Sequence, residues 1–450
     1  MSQIYIPTEL GTEKIGKLLR QYSVPAIIAM TAASLYNLVD SIFIGHGVGA
    51  LAISGFAITF PLMNIAAAFG SLVGVGAGTL ISVRLGQKDY GTAQRVLGNV
   101  FILNIVIGLL FSFFSLIFLD PILYFFGASE NTVVYAREYM IIILLGNIVT
   151  HLYLGLNSVL RSSGHPKKAM TLTITTVILN TILDPIFIFV FDWGIQGAAV
   201  ATVLAQLVSL VWQFRIFRNK NELLYFHRGI FKPDFRIVKD MLSIGLAPFL
   251  MNMASCVIII IINNGLKTYS GDLAIGAYGI VNRVSFMFVM IVMGLNQGMQ
   301  PIAGYNYGAK QTSRVLEVLK LTIIFATIVT TSAFVVGEFF PELVTRMFTS
   351  DEELIGLSVY GLRISVMFFM LIGAQIVIAN FFQSIGMAGK AIFLSLIRQV
   401  IVLIPCLIIL PRYLGVDGVW ISMPVSDFAA AIVSTVMIIQ QIRKFKSDKI

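Results

Sequence analysis

Charged side chains are scarce in this sequence: Asp, Glu, Lys and Arg make up only 12% of its 450 residues. Hydrophobic residues account for 57% of the chain, and its mean hydropathy is +0.89. Most of such a chain cannot face water, so the composition excludes a soluble protein and predicts a polytopic membrane protein. The apolar runs do not alternate with polar residues as barrel strands would, and the predicted fold class is therefore all-α.

Residues that bind metals or act as nucleophiles are also few. Cys256 and Cys406 are the only cysteines, and neither has metal-type spacing, which argues against a disulfide framework and a zinc site. The four histidines are scattered without ligand spacing. No P-loop motif is present, so ATP is not expected to supply energy. The sequence thus predicts neither an enzyme nor a bound cofactor.

Long apolar runs dominate what is present. Separated by Gly, Pro or charged residues, they predict twelve transmembrane helices. We expect these helices, numbered 1 to 12, at residues 16–44, 52–82, 94–119, 133–160, 167–190, 195–217, 237–266, 273–303, 312–338, 354–384, 390–410 and 416–442. The 38 glycines suit helices that pack closely in lipid.

The distribution of Lys and Arg predicts the orientation in the membrane. If helix 1 starts inside the cell, 24 of the 31 basic residues fall at the two termini or in loops on the inner side. This asymmetry predicts a multi-pass protein of the cell inner (plasma) membrane with both termini in the cytoplasm. Because the net charge of +9 is spread over short loops, no nucleic-acid partner is expected.

The two halves of the chain resemble each other when shifted by about 222 residues. The segment at 50–58 matches 272–280, and Pro25 falls opposite Pro248. With six helices each, both halves start on the same side, which predicts two lobes related by a pseudo-two-fold axis along the membrane normal. The predicted division is a first lobe at 1–218, a cytoplasmic linker at 219–236 and a second lobe at 237–450.

Acidic residues at helix depth are the strongest functional signal. Three are expected there, namely Asp40, Asp184 and Asp427. An ionised carboxylate at the centre of a membrane helix costs about 2.5 to 3.5 kcal/mol, so it needs a wet or protein-lined surrounding. Asn180 lies four residues before Asp184 and therefore on the same helix face. On helix 6, Ala198 and Thr202 are four residues apart in the same way, at a similar depth.

These residue types favour the binding of a small cation. Two carboxylates, an amide oxygen and a hydroxyl are hard oxygen ligands suited to Na⁺ or to a shared proton. Close carboxylates also raise each other's affinity for a cation or proton. The predicted cation-coupling residues are Asp40, Asn180, Asp184, Ala198 and Thr202. The alternative is that each acid merely forms hydrogen bonds to neighbouring helices.

Two prolines inside the predicted helices are candidate hinges. Pro25 on helix 1 frees the carbonyl of Gln21, and Pro185 on helix 5 frees that of Thr181. A helix that lacks one hydrogen bond bends more easily than its neighbours. A titratable group on a bendable helix is what an ion-driven switch requires.

Polar and flexible residues of the second half allow two interpretations each. Arg283 on helix 8 either lines a cleft between the lobes or is a paired structural charge. Met287 and Met290 belong to a Met and Phe stripe that either lines an adaptable drug pocket or packs in the core or against lipid. Gln297 is a further cleft candidate on the same helix.

Arg398 on helix 11 and Asp427 on helix 12 are both expected near mid-membrane. Opposite charges within a membrane protein usually pair. We therefore predict an ion pair between them, with Arg363 on helix 10 as a competing partner.

With these residues the chain resembles the MATE (multidrug and toxic compound extrusion) family, and within it the prokaryotic DinF branch. The resemblance covers about residues 14–440 and rests on Pro25, Tyr36, Asp40, Asn157, Asn180, Asp184, Pro185, Ala198 and Thr202. It implies that helices 1, 5 and 6 hold the coupling cation, that helix 1 bends at Pro25, and that Tyr36 and Asn157 are cleft candidates. The NorM branch also uses acids of the second lobe, but helices 7, 8 and 10 here contain no comparable acid.

The expected function is secondary active efflux. An antiporter would export organic cations or amphipathic drugs in exchange for H⁺ or Na⁺, rocking between outward-open and inward-open states with coupling at Asp40 and Asp184. Its expected partners are small-molecule drugs and the lipid bilayer, with the protein itself a monomer. The alternatives are a lipid-linked oligosaccharide flippase of the same wider superfamily and a membrane-embedded transferase, although no nucleophile or base is assembled for the latter.

Overall fold

The computed structural model describes residues 5–447 and all of their side chains except those of Leu35, Asn37, Leu38, Ala50, Lys267 and Asp272. This part of the chain is almost entirely helical, and its one strand-like feature is an isolated bridge between Tyr5 and Glu222. The helices of the first half are α1 (Glu9–Thr12), α2 (Ile15–Gly47), α3 (Ala50–Gly86), α4 (Tyr90–Ile117), α5 (Leu119–Phe125), α6 (Glu130–Ser162), α7 (Pro166–Pro185) and α8 (Gly194–Phe217). Short π and 3-10 turns, Ile186–Val190 and Arg228–Ile230, follow α7 and α8.

The second half repeats this pattern of long helices. They are α9 (Phe235–Ser270), α10 (Asp272–Gly308), α11 (Thr312–Phe339), α12 (Pro341–Arg346), α13 (Glu352–Val366), α14 (Phe369–Ser384), α15 (Ala388–Leu396), α16 (Ile404–Leu414) and α17 (Val416–Ser447), with a π turn, Ile397–Leu403, between α15 and α16. In the described residues, eleven spans are long and apolar enough to cross a membrane, or twelve if α13 and α14 form one span bent by 53°. The predicted all-α fold with twelve spans is confirmed, although predicted helix 10 is bent.

One compact unit comprises Met1–Thr12 and Ile28–Phe249. Its central helix is α6, which packs against α3, α4 and α8. Aromatic side chains fill part of this core, where the rings of Phe56 and Tyr139 meet edge to face with centroids 5.0 Å apart. Both side chains are buried, so apolar packing holds α3 against the first half of α6.

The other compact unit comprises Glu13–Ile27 and Leu250–Ile450. Here α10 packs against α11, α13 and α14, and Trp420 of α17 lies in the buried core. Arg398 Nε donates a hydrogen bond of 2.6 Å to Asp427 Oδ1, and the Asp427 side chain is only 3% exposed. The predicted ion pair is confirmed, and Arg363 forms no ion pair within the described residues.

The borders of the two units fall inside two long helices. In α2 the border lies two residues after Pro25, and in α9 it lies one residue after Pro248. The leading segment of each helix therefore belongs to a different unit from the rest of that helix. Residues 13–27 belong to the second unit, and residues 235–249 belong to the first. The predicted division into lobes at 1–218 and 237–450, joined by a linker at 219–236, stays a prediction.

Glycines on α10 explain why residues 13–27 belong to the second unit. A Cβ added at Gly298 would overlap with Ser23 Oγ, and one at Gly294 would lie 2.5 Å from the side chain of Ile27. Ser23 Oγ also donates to the backbone oxygen of Leu295 at 3.3 Å. Contacts this close need the absence of a side chain, so the leading segment of α2 is fixed against α10.

The first unit holds the leading segment of α9 in the same way. A Cβ at Gly76 of α3 would overlap with the carbonyl oxygen of Met241, and one at Gly245 would overlap with that of Leu72. Gly76 and Gly298 are 222 residues apart, which is the offset of the internal repeat. The repeat therefore preserves a close contact between helices as well as a sequence pattern.

The buried ion pair gives a test of the second unit. Arg398→Met should destabilise the protein by about 3 kcal/mol or more, because it leaves the Asp427 carboxylate buried without its partner. The double substitution Arg398→Met with Asp427→Leu should recover most of that loss. Unfolding by SDS titration in mixed micelles measures both. The control Arg363→Met removes an exposed arginine and should have little effect on the free energy of unfolding. Equal losses of stability in Arg398→Met and Arg363→Met would contradict the assignment of Arg398 as the partner of Asp427.

Candidate functional site

Two acids of the first unit meet inside the protein. Asp40 lies on α2 and Asp184 on the last turn of α7, and their side chains are 1% and 0% exposed. The Asp40 carboxyl group is within hydrogen-bond reach of both the Asp184 carboxyl group and the Tyr36 hydroxyl. Two carboxylates cannot stay in contact when both are charged and unpaired, so a proton or a cation must accompany them.

The neighbouring polar groups form a connected set around these acids. Asn180 Nδ2 donates to Asp184 Oδ1 at 3.1 Å and lies 3.3 Å from Thr202 Oγ1. The hydroxyls of Tyr36 and Thr202 are 3.4 Å apart. Predicted residues from α2, α7 and α8 are thus brought together.

Ala198 differs from the other predicted coupling residues because its side chain offers no ligand atom. It is fully buried on α8, one turn before Thr202. Its place fits close packing of α8 beside the polar set.

The site contains oxygen atoms whose bonding capacity is not used. Within the described residues, Asp40 Oδ1, Asp184 Oδ2 and Asn180 Oδ1 are buried and accept no hydrogen bond. Neither acid forms an ion pair with a Lys, Arg or His in this part of the chain. Asp427, by contrast, has Arg398 as its permanent counter-ion. Three unused hard oxygens on neighbouring side chains are suited to a proton or a small cation such as Na⁺.

The local structure at Pro185 shapes the α7 part of the site. The α-helix ends at this proline and a π turn, Ile186–Val190, continues the chain. Proline cannot donate a backbone hydrogen bond, so the carbonyl of Thr181 loses its usual partner. Single π turns of this kind are frequent at functional sites. Asp184 therefore lies where the helix is least regular.

Tyr139 of α6 belongs to the same cluster and was missed by the sequence interpretation. Its buried hydroxyl lies near Thr202 and within electrostatic range of Tyr36 and Asp40, and it forms no hydrogen bond of normal geometry among the described residues. The sequence does contain a pattern that could have identified it, because the polar residues Tyr139, Asn147 and His151 recur at multiples of four residues on α6. All three are buried and so mark a polar face.

Asn157 does not join this cluster. Its Nδ2 donates to the backbone oxygen of Ala169 at 3.0 Å and lies 3.4 Å from Thr173 Oγ1. Tyr153 also donates to Thr173, at 3.3 Å. The Asn157 side chain thus joins α6 to the first half of α7, whereas its expected place in a cleft stays a prediction.

The candidates of the second half lie in the other unit, all on α10. Arg283 and Met287 are exposed, Met287 to 67%, while Met290 and Gln297 are half-buried. Arg283 forms no ion pair with any residue that the structure describes. Their roles stay predictions.

The fold and the site together define a class of protein. A helical protein with eleven or twelve membrane spans, two repeated halves and a buried pair of acids without a basic partner is a membrane transporter. A family model described as MatE matches residues 25–186 and 244–408 of the chain. The chain belongs to the MATE family, and it is a transporter and not an enzyme.

Individual relatives agree with this assignment over nearly the whole chain. Multidrug export protein MepA of Staphylococcus haemolyticus is 28% identical over 435 residues, which are 97% of this chain and 96% of that protein. The solved structure of the MATE multidrug transporter DinF-BH in complex with rhodamine 6G is 37% identical, covers 97% of this chain and 98% of its own, and has a TM-score of 0.90. A crystal structure of MATE in the bent conformation is 25% identical, covers 99% of both chains and has a TM-score of 0.93. The predicted resemblance to a DinF-like MATE transporter is confirmed.

The absence of a basic partner at the acid pair has a consequence for stability. Asp40→Asn and Asp184→Asn should each raise the free energy of unfolding by about 1 to 3 kcal/mol, because they remove a buried carboxylate that no basic side chain among the described residues neutralises. Asp427→Asn is the matched control and should lower it, since Arg398 then loses its partner. SDS titration measures all three. A loss of stability in all three variants would show that the pair is a structural feature like the Asp427 ion pair.

Proposed function

We propose that this protein is a multidrug efflux antiporter that exchanges organic cations or other amphipathic drugs for H⁺ or Na⁺, with Asp40 and Asp184 as the coupling residues. The observation that carries the proposal is the contact of two buried carboxyl groups that lack a basic partner among the described residues. Drug export is supported by the relatives, one named a multidrug export protein and one solved with rhodamine 6G.

The geometry suggests how binding of the cation changes the transporter. Without a cation, the two carboxylates repel each other, and water is needed to stabilise them. A proton or Na⁺ on Asp40 and Asp184 removes this repulsion and allows α2 and α7 to close on each other. Asn180 and Thr202 then supply the remaining oxygen ligands. The two occupancy states thus favour two positions of α2, and only such a difference in affinity can drive a conformational change.

The ion gradient supplies the work of export. One elementary charge that moves across 100 mV releases about 2.3 kcal/mol. This is enough for more than a tenfold concentration of a neutral drug, since each tenfold step costs about 1.4 kcal/mol. From the distribution of Lys and Arg, we further propose that the protein lies in the cell inner membrane with both termini in the cytoplasm. We also propose that it acts as a monomer.

Transport in vesicles tests the coupling residues. Purified protein in liposomes preloaded with rhodamine 6G should export the dye when a H⁺ or a Na⁺ gradient is imposed, and the gradient that drives export names the ion. Asp40→Asn and Asp184→Asn should reduce export to the level of protein-free vesicles, because neither variant retains the acid pair. The same variants should still insert in the membrane and bind the dye, which fluorescence polarisation measures.

The control for this experiment is Asp192→Asn, eight residues beyond Asp184. Asp192 is exposed and has a left-handed backbone with φ of 55°, which asparagine adopts readily. Export should be unchanged in this variant. Full export by both Asp40→Asn and Asp184→Asn would defeat the proposed coupling.

The proposed hinge at Pro25 makes a separate prediction. Pro25→Ala restores a backbone donor and favours a straight α2 by up to about 3 kcal/mol. A shift of this size between two states should slow export of rhodamine 6G by tenfold or more while the dye still binds. Pro61→Ala is the control, because Pro61 also lies inside a long helix but far along the chain from the border between units. Equal rates for wild type and Pro25→Ala would remove the hinge from the mechanism.

A further inference from the structure

A groove that the mechanism does not use lies on the surface of the first unit, between the start of α7 and the end of α8. Its volume is about 660 Å³, which is within the range of about 300 to 1,000 Å³ for small-molecule sites. Its walls include Val208, Val211 and Trp212 on α8, and its polar lining includes Lys168, Arg215 and Glu222. The acid pair is not among them, so the groove is a different site.

One wall of the groove is an apolar face of α8. Leu207, Val208, Val211 and Trp212 recur at helical spacing, and their side chains are between 39% and 49% exposed. In a membrane-spanning helix, such a face contacts lipid chains. Trp212 lies near the end of this face, the level at which tryptophan is enriched at membrane–water interfaces.

The end of the groove is basic. Arg215 lies in the last turn of α8, is exposed, and forms no ion pair within the described part of the chain. Lys168 lies in the first turn of α7, where the helix dipole disfavours a positive charge, so its position does not serve helix stability. The two cations therefore flank the point at which the apolar wall ends.

One acid lines the groove, and its charge is already used. Glu222 accepts hydrogen bonds from Lys168 Nζ at 2.9 Å and from His165 Nε2 at 2.7 Å. Burial favours the neutral form of Glu222, but these hydrogen bonds outweigh it and hold its pKa below the usual value. Burial also lowers the pKa of His165, which disfavours a positive charge on that ring. Glu222 and Lys168 thus neutralise each other, and the positive charge of Arg215 stays unopposed.

We propose that this groove binds an anionic phospholipid, with the acyl chains along Val208, Val211 and Trp212 and the headgroup phosphate at Arg215, beside the neutralised Lys168–Glu222 pair. A guanidinium group forms two parallel hydrogen bonds to a phosphate, and basic pockets between membrane helices on the cytoplasmic side are known to recognise such headgroups. The ligand belongs to the inner leaflet if the proposed orientation holds. Cationic drugs do not fit this end of the groove, because they would meet Arg215.

Native mass spectrometry of the full-length protein tests the proposal. The protein in detergent is titrated with phosphatidylglycerol and with phosphatidylcholine of the same acyl chains. Wild type should retain phosphatidylglycerol in preference. Arg215→Gln should lower its apparent affinity about fivefold, which corresponds to about 1 kcal/mol for one basic residue near the headgroups. Trp212→Ala should weaken both lipids, since it removes part of the apolar wall.

The matched control is Arg218→Gln. Arg218 is exposed, lies one turn beyond Arg215 and does not line the groove, so its removal should leave the lipid preference unchanged. The proposal is overturned if Arg218→Gln and Arg215→Gln have equal effects, or if wild type does not prefer phosphatidylglycerol. It is also overturned if sn-glycerol 3-phosphate, which carries the phosphate but no acyl chains, binds as tightly as the lipid. A further contrary result is that rhodamine 6G displaces the lipid from wild type but not from Arg215→Gln.

Discussion

Two carboxyl groups in contact, buried and without a basic side chain among the described residues to neutralise them, are the constraint on which this structure depends. The residues around Asp40 and Asp184 are an amide, a threonine and two tyrosines, which solvate a charge but do not cancel it. The same protein neutralises Asp427 with a permanent arginine. The difference indicates that positive charge at the first site must come from outside the protein. This is the property that the proposed coupling to H⁺ or Na⁺ requires.

The helix that carries Asp40 also crosses the border between the two compact units. Ser23 and Ile27 in the leading segment of α2 pack against Gly298 and Gly294 within the second unit, while the part of α2 that bears Asp40 belongs to the first. A change of charge at Asp40 therefore acts on a helix whose leading end is fixed elsewhere, and Pro25 is the point at which its hydrogen-bond ladder is interrupted. The repeat places the same arrangement in α9, where Gly245 packs on α3 and Pro248 precedes the border. That helix has no acid corresponding to Asp40. The two halves therefore share the close glycine contact and the proline near the border, but only the first half has a buried acid on this helix.

The sequence predicted the spans, the repeat and the residues that meet around Asp184 because each leaves a local trace. Apolar length marks a membrane helix, and an acid such as Asp184 within one is conspicuous. Tyr139 was missed because an isolated tyrosine is compatible with either packing or function, and only the spacing of polar residues along α6 separates the two. The exchange of leading segments was not predicted either, since Gly76 and Gly298 show where backbones approach but not which helix approaches them. Such contacts depend on three-dimensional packing that periodicity does not encode.

The α7 and α8 side of the candidate cation site and the proposed lipid groove are carried by the same two helices, whereas Asp40 lies on α2. Asp184 and Lys168 are at opposite ends of α7, about 24 Å apart at the rise of an α-helix. On α8, Thr202 lies toward one end and Arg215 at the other. Between these levels the hydroxyls of Thr176 and Ser209 are 2.7 Å apart and join the helices. A lipid bound at Arg215 beside the Lys168–Glu222 pair would restrain the spacing of α7 and α8, which is also the spacing that brings Asn180 to Thr202. The proposed lipid groove and the Asn180–Thr202 side of the candidate cation site are thus built on one pair of helices.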